Sequence, residues 1–437
     1  ALRDGCTTDS PSLEARRARF DEDVLAPLER ASIARDGLIT AWDFRTASGP
    51  SAWGDLREMR DVALAALDAG ELGCVVDADV EVEHEGQTFR RVEGHVDVPL
   101  FLASLDAGAR LERGADGAPI AAASAPLPFL ATWPTSIESG TGAPTMMFGH
   151  GLFSTRNELD EEPGRQLLAR GRMVGIATDL IGLAQDDLGA AAGALMELSQ
   201  FSAVLDRLTQ GIVAMLVLPR LFATRCAELL GIEGAIDPSA LVYTGNSQGA
   251  IVGPTLAALS PDIERYALGV GGIGYSVMMP RSLGFETVES ILFGAYPRRV
   301  DRDLLMVMFQ HHWDRFEGAA FAPHVHDDRL AASIERPARI LYQVGLEDAE
   351  TPNVASEIAA RTMGLGVLSS SASQPWGTEH AGDAPGSAYV AFDYDAAPLS
   401  DAPVRPTVDS GVHERVRRDP VAQEQIMRFF REGVIAP

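Results

Sequence analysis

The sequence predicts an α/β fold, a mostly parallel sheet covered by helices on both faces. Three observations predict it. From about residue 127 onward, short apolar runs without alternation are each followed by a loop and an amphipathic helix. Strands of that kind are buried on both faces, as in a parallel sheet between helix layers. The chain has 437 residues, 46% hydrophobic and 22% charged, which suits a globular protein with one large core and room for extra modules. Finally, one junction between an apolar run and a helix carries a serine flanked by glycines. It lies where open α/β sheets hold their sites, at a strand's C-terminal end.

Residues 1–126 read as a mixed helix and strand extension without a chemical motif. Stretches 11–36 and 55–70 have helical spacing, with Leu13, Arg16, Arg17 and Phe20 in the first. "VVDADVEVEHEG" and "TFRRVEGHVDVPLFLA" then alternate apolar and polar residues and read as strands joined at "EGQ". The Gly-, Pro- and Ala-rich stretch 107–128 reads as a loop. In 127–437 the strands are "LPFLATW", "PTMMFGHG" (stopping at Gly149), "RMVGIATDL", "ALVYTG", "RYALGVGG", "ARILYQVG" and "AYVAFDYD". Helices fall at "GRQLLARG", in 195–231 around Leu205, Leu208, Ile212 and Leu216, at "QGAIVGPTLAAL", and at the closing "DPVAQEQIMRFFREG". About sixty residues, 275–335, separate two of the strands. A connection that long is expected to be a cap or a small packed subdomain.

Charge excludes some partners. The net charge of −26, with every basic residue an arginine, argues against nucleic acid and against an anionic membrane surface. No apolar run is expected to reach the ~18 residues of a membrane span; "GIVAMLVLP" (211–219) is too short. Cys6, Cys74 and Cys226 are too few and too dispersed for a zinc site. The polar start "ALRDGCTTDS" lacks the plan of a signal peptide. The expectation is an exported protein with its signal removed and with Cys6 bonded to Cys74; a cytoplasmic protein with free thiols is the alternative.

The serine stands in "VYTGNSQGA" (242–250). A strand passing sharply into a helix forces Ser247 into a strained turn, and Gly245 and Gly249 let neighbouring backbone come close. The Gln248 N–H, at the helix N-terminus, can donate to an oxyanion. The bland alternative is a turn serine. About a hundred residues earlier, "FGHGLFSTRNE" ends a buried strand. Leu152 can supply a second oxyanion N–H there, His150 is read as structural, and Phe153 is read as shaping a pocket.

Taken in order, "PTMMFGHGLFSTRNE", "GIATDLIG", "GNSQGAIVG" and "VGLEDAETP" resemble the α/β-hydrolase superfamily. The resemblance covers about 127–437 and narrows to bacterial serine esterases and lipases with an extra N-terminal region. It implies an α/β-hydrolase fold, a Ser-acid-His triad in that chain order, and no metal or cofactor. Asn246 departs from the histidine common before the serine. The glycine, acid and proline spacing of "VGLEDAETP" points to Asp348 as the acid, with Glu347 and Glu350 as competitors. For the base, His413 and His380 both follow Asp348. His413 is preferred because it lies after the last strand and before the closing helix. His311, His312, His324 and His326 do not have the spacing of a helical metal pair.

The expectation is therefore a carboxylic-ester hydrolase acting on a small-molecule or lipid ester. Ser247, His413 and Asp348 would form the triad, and Leu152 and Gln248 the oxyanion hole. Phe153, Tyr275, Met278, Met279, Phe309 and Trp313 would line an apolar pocket. A non-catalytic binding protein, an amidase and an acyltransferase are the alternatives.

Overall fold

The structure is a computed structural model that describes residues 2–41, 43, 47–330, 336–382 and 385–436. The C-terminal end of the expected 275–335 insertion, residues 331–335, lies outside them. The chain divides into two compact units, Ala1–Gly49 and Pro50–Pro437. The first contains short helical segments, Pro11–Glu14, Arg17–Phe20, Asp21–Leu25 and Ala26–Arg30, with ion pairs of Arg35 to Asp21 and Glu29.

The second unit is built on one nine-stranded sheet. Its strands are β1 (Cys74–His84), β2 (Gln87–Leu100), β3 (Ala123–Pro134), β4 (Ala143–Gly149), β5 (Val174–Thr178), β6 (Ile236–Asn246), β7 (Arg265–Gly269), β8 (Arg339–Gly345) and β9 (Ala388–Phe392). Their order is β1-β2-β3-β5-β4-β6-β7-β8-β9. β1, β2 and β3 run antiparallel to their neighbours, and the six strands from β5 to β9 are parallel. This is the α/β-hydrolase fold that the resemblance implied. β1 and β2, assigned from sequence to the extension, are hydrogen-bonded into this sheet through β3.

Alternation along the strands shows the two covered faces. Met147, Ile176, Tyr243, Tyr266 and Tyr342 join one core with the helices Gly49–Asp68, Phe201–Leu221 and Gln248–Leu259. Their neighbours Met146, Ala177, Val242, Ala267 and Leu341 join another with Glu162–Gly171 and Pro420–Glu432. The central residues of the six parallel strands are buried on both sides, so those strands gain nothing from alternating with polar residues.

Helix Phe201–Leu221 is the centre of the first core. The stretch Leu198–Leu230 does meet the length and hydropathy of a membrane span, against the sequence expectation, and 94% of its apolar window is buried inside the protein. Its buried polar residues Asp206, Arg207, Thr209 and Gln210 are all hydrogen-bonded. Gln210 accepts from the Phe101 N–H (2.8 Å) and donates to the Pro99 carbonyl (3.1 Å), closing the end of β2. Asp206 accepts from Arg110 and from the Leu111 N–H.

The expected Cys6–Cys74 bond is not formed. Cys74 is bonded to Cys226, and Cys6 is free and exposed. Cys226 lies just past the core helix, whose packing against the sheet brings it to β1; sequence proximity gave no hint of that contact.

Candidate active site

Ser247 sits where β6 ends and the helix Gln248–Leu259 begins, with φ +53° and ψ −120°. Such a φ is uncommon for a residue with a Cβ. The turn is held by the Ser247 N–H donating to the Gly269 carbonyl (3.0 Å) and by Ile251 N–H to the Ser247 carbonyl (2.9 Å). Close packing explains the glycines. A Cβ on Gly249 would lie 2.1 Å from the Gly149 oxygen, and one on Gly245 would lie 2.6 Å from the Gly249 carbonyl carbon. The elbow and the end of β4 therefore touch through backbone alone, which brings loop 150–154 beside the serine.

That loop is tied on several sides. The Gly151 N–H donates to Glu158 Oε2 (2.8 Å) and the Ser154 N–H to the Gly151 carbonyl (3.2 Å). The Phe153 N–H donates to the Leu183 carbonyl (2.8 Å), with Phe153 at φ +52°. The Leu152 N–H takes part in none of these bonds. Across from it, Gln248 opens a helix, so its N–H has no intrahelical acceptor. His150 is buried and holds the loop. Its Nε2 accepts from the Leu180 N–H (2.8 Å), so Nδ1 carries the proton and donates to the Gly151 carbonyl (2.7 Å). Burial depresses its pKa and keeps it neutral, in accord with a structural role.

Asp348 lies in the turn after β8. Its Oδ1 accepts from the Glu350 (2.8 Å) and Thr351 (3.0 Å) N–H groups. Its Oδ2 meets His413 Nδ1 at 2.8 Å, with both side chains buried. His413 is in the first turn of helix Val412–Arg418, rather than in a loop as the sequence suggested. Gly345 permits this approach, since a Cβ there would lie 2.1 Å from Val412 Cγ1. Burial disfavours charge on His413, but the charge and hydrogen bond of Asp348, with Glu350 behind them, outweigh it and raise its pKa. Of the competing acids, Glu347 accepts from the Leu399 N–H (2.6 Å), and Glu350 Oε2 stands 3.8 Å from His413 Nε2. His380 is exposed, in a bridge to Val367.

Ser247, Gln248, Leu152, Phe153, Met278 and His413 line one cavity of about 380 Å³. Beside it, a narrower space of about 40 Å³ is lined by Tyr275, Met279, Phe309 and Trp313, with Leu152, Phe153 and Phe285 shared between the two. Met278 thus belongs to the larger of the two, Tyr275, Met279, Phe309 and Trp313 to the smaller, and Phe153 to both. Tyr275 stacks on Trp313 (ring centroids 4.2 Å apart, planes at 13°) and its hydroxyl donates to Gln248 Oε1. Beneath them Glu317 is fully buried, accepting from the Gly274 N–H and from Gln310 Nε2 (2.7 Å). Burial pushes its pKa up to about 8.

Sequence reasoning missed two residues here. Arg417 donates to Glu158 Oε1 (2.7 Å), and Glu158 in turn holds Gly151. Nothing in "STRNELDEE" singles out one acid among four. Among the described residues no cluster of His, Cys, Asp and Glu is arranged to hold a metal. A larger cavity of about 520 Å³, near Pro144, Leu241 and Arg265, opens at the N-terminal ends of β4, β6 and β7. That is the sheet edge opposite Ser247, away from where open α/β sheets place their chemistry.

No protein-family model matches the sequence, and no curated protein matches it. Solved structures similar to it include an acetyl xylan esterase from Paenibacillus sp. R4, at 16% identity over 86% of this chain and 94% of that one, with a TM-score of 0.45. Another is acetyl xylan esterase 1 from Thermoanaerobacterium sp. JW/SL YS485, at 13% identity over 82% and 96%, with a TM-score of 0.44. A third is the Pyrococcus horikoshii acylaminoacyl peptidase, at 12% identity over 83% and 50%, with a TM-score of 0.40. The fold assignment rests on the strand order rather than on these likenesses.

Proposed function

We propose that the protein is a serine hydrolase of carboxylic esters with short acyl groups. The observation that carries this reading is the buried Asp348–His413 hydrogen bond of 2.8 Å, with His413 opening onto the cavity that holds Ser247 at its strained turn. A hydroxyl is a weak nucleophile until a base takes its proton, and the base needs a carboxylate to fix its tautomer. Asp348 accepts a hydrogen bond from His413 Nδ1–H, which keeps the proton there and leaves Nε2 free for the serine proton.

Ser247 Oγ then bonds to the ester carbonyl carbon while its proton passes to His413 Nε2. The Leu152 and Gln248 N–H groups donate to the oxyanion. When the intermediate collapses, the C–O bond to the alcohol breaks and His413 returns the proton to the departing oxygen. Water, deprotonated by His413, releases the acid and restores Ser247. The 40 Å³ space suits a short acyl chain. A site for one water occupies ~10–15 Å³ on the same scale, so it takes about three non-hydrogen atoms.

Two measurements test the reading. Ser247→Ala should lower turnover of p-nitrophenyl acetate on the order of 10⁶-fold and abolish labelling by a serine-directed phosphonate. Across p-nitrophenyl esters of rising acyl length, kcat/KM should fall beyond about four carbons. A folded Ser247→Ala protein retaining a tenth of the activity refutes the nucleophile. A preference for long chains refutes the pocket.

A further inference from the structure

Four carboxylates, Glu158, Glu161, Glu350 and Glu414, line the 380 Å³ cavity together with Arg417, and Arg417 and Arg418 act on Glu161 from beyond ion-pair distance. Glu158 and Glu414 share Arg417, at 2.7 Å and 2.5 Å. Among the described residues, no Arg lies within ion-pair distance of Glu350 or Glu161. Glu350 is half-buried, and its Oε2 is 3.8 Å from His413 Nε2, the atom that hands the proton to the departing alcohol. Its backbone N–H is bonded to Asp348, so its place beside the base is fixed by the acid turn itself. Burial raises its pKa; His413 acts against that, and the negative charges of Asp348, Asp409 and Glu414 add to it. Gln248 also lines this cavity, and its side chain is turned to Tyr275. Gln248 is 1% exposed, its Oε1 is taken by Tyr275, and its Nε2 has no partner.

We infer that Glu350, with Glu161 at the rim, selects esters whose alcohol carries a cationic group close to the ester oxygen. This rests on the esterase reading above and names its substrate class. An alcohol oxygen receiving the proton from His413 Nε2 lies within a few ångströms of the Glu350 carboxylate. A cation two carbons further along the alcohol then faces that carboxylate, with Phe285 and Met278 lining the same space. Aromatic faces also attract quaternary ammonium groups. In a half-desolvated site the attraction is stronger than at an open surface. The chain's net charge of −26 draws cations toward it and repels anionic esters.

The test uses an isosteric pair, acetylcholine and 3,3-dimethylbutyl acetate, which differ by one charge and almost nothing in shape. Wild-type kcat/KM should favour the cationic ester by about tenfold or more at low salt. Glu350→Gln should cut that ratio several-fold, Glu161→Gln should cut it less, and 0.5 M NaCl should compress it. A wild-type ratio near one, or a ratio unmoved by Glu350→Gln, overturns the inference. Hydrolysis of the neutral ester separately tests the esterase reading. If neither ester is turned over, calorimetric titration of choline still decides: binding weakened by Glu350→Gln supports the cation site, and no binding refutes it.

Discussion

Ser247 holds a φ of +53°, a conformation that costs on the order of 1–3 kcal/mol and persists only where surroundings enforce it. The enforcing contacts are those of Gly149, Gly245 and Gly249, so the serine and its glycines form one device. That device is legible in sequence because its parts are local. Asp348 and His413 are legible as candidates because each follows a recognisable strand, although choosing between His413 and His380 needed an argument from topology. Glu158, Arg417 and the Gln248 side chain are not legible, since their partners lie far away in the chain. His413 makes a pH prediction. The proposed base works only when neutral, and its pKa is raised, so kcat/KM should fall with decreasing pH through a value above the ordinary histidine range. A limb at or below that range in a p-nitrophenyl acetate profile counts against the assignment. Glu317 makes another, in stability. Its pKa is about 8 in the folded protein, against an ordinary 4.5. Below pH ~4.5 both states hold the proton; between there and about pH 8 only the unfolded state releases it, so stability falls by ~1.4 kcal/mol per pH unit. Glu317→Gln removes that dependence. The variant's melting temperature relative to wild type should rise steadily from pH 5 to 8, and a flat difference would contradict the burial argument.

Helix Val412–Arg418 carries both His413 and Arg417. Through Arg417 and Glu158 it is tied to the Gly151 N–H, so one buried ion pair joins the helix bearing His413 to the loop bearing Leu152. Breaking such a pair leaves an uncompensated buried charge. Arg417→Gln is therefore expected to lower kcat for a neutral ester more than tenfold by loosening the loop proposed to hold the oxyanion, with Arg417→Lys recovering part of it. Removing one oxyanion donor outright costs ~10²–10³. An unchanged kcat in a folded variant would show that the loop stands without the pair. Element boundaries were less legible than element types. β3 begins at Ala123, inside the stretch read as a loop, because "ASAP" offers small residues and proline instead of β-branched ones. β6 begins at Ile236, where "IDPS" hides a strand behind aspartate and proline. Both starts are held by pairing to a neighbour rather than by local preference.

The sheet's six parallel strands were legible as a class because burial on both faces erases alternation. What joins β1 to them was not, since antiparallel pairing and a distant disulfide are long-range facts. The Cys74–Cys226 bond spans 152 residues and, in the chain-entropy model, destabilises the unfolded state by about 5 kcal/mol. Reduction, or Cys226→Ser, should lower the melting temperature by several degrees while leaving Ser247 reactive to phosphonate, because the bond lies at the β1 edge of the sheet. The same separation sets an order of events during biosynthesis. At 5–20 residues per second, Cys74 leaves the ribosome about 8–30 s before its native partner exists. Within this sequence, Cys6 is also made by then, and it is exposed and unpaired in the finished protein. A premature Cys6–Cys74 bond would have to be exchanged before β1 could be locked to Cys226. Cys6→Ser should therefore shorten the lag in oxidative refolding, and equal lags in the two proteins would mean that the sheet assembles before any disulfide forms.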